Sequence, residues 1–139
     1  MKRLFNTGFN GGALNFWLLL LRIITGILML THGWPKFQSL MAGSIQFPDP
    51  IGIGSTASLV LVVIAEVLCS ILLIIGFATR IASFILVINM AVAIFIVHGA
   101  DPLAKKELAL LYLLIYLTLL VAGSGKYAVD AAIGKKRYR

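Results

Sequence analysis

Apolar residues form four long, nearly continuous segments, at about residues 13–32, 56–77, 80–98 and 107–122. A hydrocarbon core of about 30 Å takes about 20 helical residues to cross, and each segment approaches that length. The runs are continuous rather than alternating, which favours helices over strands, and four strands could not close a barrel. The pattern predicts an all-α integral membrane protein, a four-helix bundle in a single membrane domain spanning residues 1–139.

The connections between these segments differ greatly in length. Residues 33–55 contain three of the four prolines and several glycines, which predicts a long, irregular extracytoplasmic loop with a short re-entrant or interfacial piece around residues 37–41. Residues 78–80 leave room only for a tight helical hairpin, and Asp101 with Pro102 predicts a turn before the last segment. Gly123–Gly125 should end that segment, leaving a short basic tail.

The overall composition narrows the class of protein further. Residues of the hydrophobic set make up 60% of the chain and charged residues only 12%, about half the charged share of a soluble domain. The net charge of +7 does not indicate nucleic-acid binding, because the basic residues lie at chain ends and helix junctions. A single cysteine, Cys69, excludes an internal disulfide, a CxxC redox pair and a multi-cysteine metal site.

The distribution of basic residues predicts the orientation of the bundle. With four spans, both termini and the hairpin at residues 78–80 lie on one side of the membrane. That side carries eight lysines and arginines and the other side carries three. The eight are Lys2, Arg3, Arg80, Lys126, Lys135, Lys136, Arg137 and Arg139. By the positive-inside rule both termini are expected to be cytoplasmic.

Two charged residues, Arg22 and Glu66, lie inside apolar segments. A charge near the bilayer centre costs at least about 2.5–3.5 kcal/mol, so such residues usually face the bundle interior and pair. Counted from the cytoplasmic ends of their helices, the two have similar depths, and we expect an ion pair between them. The pair either fixes helix register or forms a proton relay or the wall of a ligand pocket, with Cys69 and Ser70 one turn from Glu66.

A second polar group gathers at the opposite, extracytoplasmic end. His32 ends the first segment, His98 ends the third, and Glu107 opens the fourth, with Lys36 and Asp101 nearby. One interpretation is histidines bonded to loop backbone at the membrane edge. Others are proton exchange, a hydrogen bond to a quinone carbonyl, and ligation of a metal or haem iron by His32 and His98. Glu66, Arg22, His32, His98 and Glu107 are therefore the candidate catalytic residues.

Three further polar residues are assigned to packing. Asn89 lies nine residues from both Arg80 and His98, on the opposite face of the third helix, and is expected to form an interhelical hydrogen bond. Tyr112 and Tyr116 are four residues apart and share one face of the fourth helix.

The order of these elements resembles that of the DoxX family of small four-helix bacterial membrane proteins. The matching elements are Leu21-Arg22-Ile23 with Gly26, His32-Gly33 with Lys36, Ala65-Glu66, Leu72 to Gly76, Thr79-Arg80, Met90-Ala91 with Ala93 and His98, Glu107, Leu110 to Tyr112, and Gly123 to Tyr127 with Asp130. The resemblance covers about residues 16–130. Cys69-Ser70 stand where many members have two glycines, and Ser124 stands where many have a proline.

The resemblance implies a multi-pass protein of the bacterial cytoplasmic membrane, related to subunits of quinol oxidase and thiosulfate:quinone oxidoreductase assemblies and to oxidative-stress complexes. The leading hypothesis is a quinone-associated redox subunit that works with partner proteins. The chain has no flavin or nucleotide motif and no iron–sulfur ligands, so it is at most a subunit of an oxidoreductase. The alternative is a non-catalytic scaffold, assembly factor or small transporter whose Arg22–Glu66 pair is structural. A homo-oligomer is compatible with either.

Overall fold

The structure is a computed structural model that describes residues 8 and 10–137, with side chains through residue 134. Its helices are α1 (Gly11–Met41), α2 (Ser55–Ile75), α3 (Thr79–Val97), α4 (Leu103–Ala122) and α5 (Val129–Arg137). The described residues contain no strand, which confirms the all-helical prediction. Within the described part of the chain, α1, α2 and α3 are long and apolar enough to cross a membrane.

The first helix is longer than predicted. α1 continues without interruption to Met41, although Pro35 lies inside it, so residues 33–41 are helix rather than loop or re-entrant segment. A proline is tolerated in membrane helices because neighbouring groups satisfy the backbone carbonyl that it frees. The loop therefore shortens to residues 42–54. α4 also starts earlier than predicted, at Leu103, and α5 forms within the predicted tail.

Two helices contain short π-helical stretches. In α2 the stretch is Ile64–Leu68, and in α3 it is Ala93–Val97. A π turn inserts an extra residue, redirects the side chains beyond it and is frequent at functional sites. Gly99 closes the second stretch, since a Cβ there would lie 2.6 Å from the carbonyl oxygen of Phe95.

The helices pack as an up-and-down bundle in which α1 lies along α2, α2 contacts α3, and α3 packs most extensively on α4. The core includes Leu73, Leu86, Tyr116 and Leu119, all fully buried, with Met29 beside them. Large apolar side chains such as Phe95 and Val121 point outward, as expected of helices whose outer faces contact lipid.

Some of the basic residues that predict the orientation lie outside the part of the chain that the structure describes. Lys2, Arg3 and Arg139 lie outside the described residues, and the side chains of 135–137 are not described. The cytoplasmic position of both termini stays a prediction from the sequence.

Candidate functional site

Glu66 is the centre of the candidate site. It lies in the π-helical stretch of α2, and only 5% of its surface is exposed. Lys36 of α1 donates to both of its carboxylate oxygens, with Nζ 2.6 Å from Oε1 and 2.7 Å from Oε2. Asn89 of α3 donates from Nδ2 to Oε1 at 3.2 Å. The three helices α1, α2 and α3 therefore meet at one buried carboxylate.

A glycine allows α1 to approach Glu66 closely. A Cβ on Gly33 would lie 2.9 Å from the Cβ of Glu66 and 2.9 Å from Cγ2 of Val67. Lys36 is three residues beyond Gly33, on the same face of α1. The close contact at Gly33 thus places the Lys36 ammonium directly at the carboxylate.

Glu66 separates two cavities. The first, about 170 Å³, lies among α1, α3 and α4 and is called here the Tyr112 cavity. The second, about 250 Å³, lies beneath residues 47–50 and is called the loop cavity. Lys36, Glu66, Ala93 and His98 line both. The Glu66 side chain therefore forms part of the wall of both cavities.

His32 and Tyr112 occur only in the Tyr112 cavity. The ring of His32 meets that of Tyr112 edge-on at 6.1 Å between centroids, and Tyr112 stacks on Tyr116 at 5.8 Å. The tyrosines share one face of α4, as predicted. His32 is exposed on its outer side, so it connects this cavity with the surface of the bundle.

His98 is held in place by the turn between α3 and α4. Its Nδ1 lies 2.8 Å from Oδ2 of Asp101, and that hydrogen bond is the main cause that lowers the pKa of the Asp101 carboxyl from its ordinary value. His98 and Asn89 both line the loop cavity, so their expected placement on opposite faces of the helix is wrong. The π-helical stretch between them changes the direction of His98. The predicted interhelical hydrogen bond of Asn89 is confirmed.

Comparison with known proteins identifies the family. The model of the DoxX family matches residues 17–99, which include Lys36, Glu66, Asn89 and His98. The chain belongs to the DoxX family. It is therefore a multi-pass membrane protein, in agreement with its apolar helices.

Two bacterial relatives match this DoxX protein over most of its length. A Haemophilus influenzae protein named "Uncharacterized protein" is 37% identical over 132 residues, covering 87% of this chain and 93% of the relative. A Bacillus subtilis protein named "Putative oxidoreductase CatD" is 38% identical over 121 residues, covering 85% of this chain and 89% of the relative. No solved structure matches the chain.

The predicted ion pair between Arg22 and Glu66 is wrong. Glu66 contacts Gly33, which is eleven residues beyond Arg22 on α1, a rise of about 16 Å along the helix. The prediction assumed that the cytoplasmic ends of the two helices are level, whereas Arg22, eleven residues after the start of α1, lies beside Gly76, just past the end of α2. The sequence signal that pointed to the correct partner was Lys36, one turn beyond Gly33.

Arg22 instead belongs to the opposite end of the bundle in this DoxX protein. Its side chain is fully buried, and Nη2 donates to the carbonyl oxygen of Tyr127 at 2.5 Å. The negative charge of the Asp130 carboxylate attracts the Arg22 guanidinium. Asp130 also accepts from the N–H groups of Ala78 and Thr79, at 2.8 and 2.9 Å, which ties the first turn of α5 to the start of α3.

The remaining candidates lie apart from the two cavities. Cys69 and Ser70 are buried on the face of α2 that also carries Glu66, as predicted, but neither lines the Tyr112 cavity or the loop cavity. Glu107 is exposed and lines neither cavity. Within the described residues, no three histidine, cysteine or acidic side chains come together to hold a metal ion.

Proposed function

We propose that this DoxX protein is the quinone-binding membrane subunit of an oxidoreductase, and that Glu66 exchanges protons with the quinone. The observation that carries the proposal is the position of Glu66, almost fully buried and yet shared by two cavities. A buried carboxylate costs several kcal/mol to desolvate, and an ion pair used only to fix helix register needs no cavity on either side.

The donors around Glu66 suit a quinone headgroup in the loop cavity. Lys36 Nζ and Asn89 Nδ2 are hydrogen-bond donors for a quinone carbonyl oxygen, and the Glu66 carboxylate is an acceptor for a quinol hydroxyl. The cavity of about 250 Å³ is slightly smaller than pockets that enclose a drug-sized ligand, about 300–1,000 Å³. It would admit the ring of a quinone, with the tail outside.

In the proposed reaction this chain accepts the protons of the quinol, and a partner protein accepts its electrons. Oxidation of a bound quinol to the quinone releases two protons and two electrons. In our proposal the protons pass to Glu66 and then through the Tyr112 cavity, where His32 and His98 continue the path. The electrons pass to a flavin, haem or iron–sulfur centre of a partner protein, because the sequence carries no motif for such a group. The name of the Bacillus subtilis relative, an oxidoreductase, supports this class of activity.

The proposal includes a location and an orientation. We place the protein in the bacterial cytoplasmic membrane, since both relatives are bacterial. α4 would form the fourth span, because it is 20 residues long and its three charges fall in its first two turns. With the basic residues distributed eight to three, the Glu66 end of the bundle would face away from the cytoplasm.

Quinone binding by the purified protein tests the proposal. Decylubiquinone is titrated into the protein in detergent, and Glu66→Gln is compared with Glu107→Gln, which removes a carboxylate outside both cavities. Loss of a hydrogen bond to a charged group, about 1.5–3 kcal/mol, corresponds to at least about a tenfold weaker Kd for Glu66→Gln. Glu107→Gln should bind as the wild type does. Absence of binding by the wild type, or equal weakening by both variants, contradicts the proposal and favours a scaffold role.

A further inference from the structure

An apolar groove runs between α2 and α3 beside the loop cavity. It encloses about 310 Å³ and is lined mainly by aliphatic side chains. These include Leu61 and Ile64 of α2 and Ile85 and Ile88 of α3. Leu61 and Ile88 are about half exposed, so the groove opens on the outer, lipid-facing side of the bundle.

The groove adjoins the loop cavity. Pro50, Val62, Asn89 and Val92 line both spaces. Taken together, the two spaces are bounded on the groove side by aliphatic side chains and on the cavity side by the polar groups of Lys36, Glu66 and Asn89. It therefore has the shape and polarity of a site for an amphiphile with a polar head and a hydrocarbon chain.

The loop over the junction is fixed by Asp49. Its carboxylate accepts from the backbone N–H of Ile53 at 3.0 Å, from that of Gly54 at 2.8 Å and from the Ser58 hydroxyl at 2.8 Å. These bonds tie the loop to the first turn of α2 and hold Pro50 at the place where groove and loop cavity meet. The loop thus covers the polar end and leaves the groove open to lipid.

We propose that the groove holds the hydrocarbon tail of the quinone and that the quinone enters from the lipid between α2 and α3. This inference rests on the proposed function, because it assumes that the headgroup binds at Glu66 and Asn89. Lipid is as apolar as the groove, so transfer of the tail gains little hydrophobic free energy. The gain comes from packing against the aliphatic wall and from orienting the headgroup toward the carboxylate.

The test fills the groove and compares two ligands. Ile88→Trp replaces an aliphatic side chain on the α3 wall of the groove with a bulky indole ring. Leu61→Trp does the same on the α2 wall. Ile81→Trp is the matched control, since Ile81 is on the same helix, is 66% exposed and does not line the groove. Kd is measured for decylubiquinone and for the same ring without a tail. Each variant is compared with the wild type for the same ligand. The partition of that ligand into detergent micelles is then equal in both measurements and cancels from the ratio of the two Kd values.

We expect Ile88→Trp and Leu61→Trp to weaken decylubiquinone binding about tenfold, or about 1.4 kcal/mol, and to leave binding of the tailless ring unchanged. Ile81→Trp should change neither. If the groove variants leave decylubiquinone binding unchanged, or weaken both ligands equally, the groove does not hold the tail, although the headgroup site remains supported. If the wild type binds neither ligand, the proposed function and this inference both fail.

Discussion

The position of Arg22 predicts that its electrostatic partner is the carboxylate of Asp130 rather than that of Glu66. The guanidinium is fully buried at the end of the bundle where Gly76, Tyr127 and Asp130 meet. Replacing Arg22 with Met removes the hydrogen bond to the Tyr127 carbonyl and leaves Asp130 without its positive neighbour. Asp130 keeps its two backbone donors, Ala78 and Thr79, so its carboxylate stays partly compensated.

The magnitude follows from these contacts. Breaking a buried pair costs about 3–5 kcal/mol when the remaining charge is uncompensated, and hydrogen bonds to charged groups contribute about 1.5–3 kcal/mol. Because Asp130 is half-buried and keeps its donors, we expect Arg22→Met to lower the free energy of unfolding by about 2–3 kcal/mol. The coupling energy between Arg22→Met and Asp130→Asn should be about 1–2 kcal/mol, within the range for residues in one network.

Glu66 provides the contrasting pair. It lies about 16 Å from Arg22 along the helix axis, and mutations so far apart usually add within about 0.5 kcal/mol. The assay is unfolding of the purified protein in mixed micelles by increasing sodium dodecyl sulfate, followed by the fluorescence of Trp17 and Trp34. A coupling energy above about 1 kcal/mol between Arg22→Met and Glu66→Gln, with none between Arg22→Met and Asp130→Asn, would refute the assignment.

Two further predictions concern the packing beside Glu66 and the loop. Gly33→Ala should destabilise the protein by about 1–3 kcal/mol in the same unfolding assay, because its Cβ would lie 2.9 Å from the Cβ of Glu66. A Cβ on Gly12 would lie 3.4 Å from its nearest neighbour, Oδ1 of Asn10. Gly12→Ala should therefore change the free energy of unfolding by less than about 0.5 kcal/mol. Hydrogen bonds from Gly54 and Ser58 lower the pKa of the Asp49 carboxyl in the folded protein. Asp49 therefore stabilises the loop fully above the pKa of an unfolded aspartate, about 3.9. That stabilisation is lost as the pH falls through the lower pKa of the folded protein. The amide resonance of Gly54 should therefore stay constant from neutral pH to about pH 4 and shift only below it; a shift between pH 5 and 7 would contradict this.

The membrane class and the helices could be predicted from the sequence because both depend on local apolar content. The burial of the charged residues within the apolar segments was also predictable. Arg22 on α1 and Glu66 on α2 are buried, and so are Cys69 and Ser70, one turn from Glu66. Spacing within one helix identifies the residues that share a face, and that much needs no knowledge of the neighbouring helix.

The partner of each buried charge could not be predicted in the same way. Register between α1 and α2 depends on the close contact of Gly33 with Glu66, which does not follow from hydropathy. Counting depth from helix ends assumed to be level paired Glu66 with Arg22 in place of Lys36, whereas Arg22 lies beside Gly76, just past the end of α2. The direction of His98 was missed for a related reason, because a π-helical stretch leaves no mark in an apolar pattern.

An experimental structure of the protein in lipid nanodiscs with decylubiquinone would show whether a quinone headgroup binds at Glu66. We expect density for the ring in the loop cavity, within hydrogen-bonding distance of Glu66 and Asn89. Ring density at the Arg22 end of the bundle, or a loop cavity without ligand under saturating quinone, would contradict it.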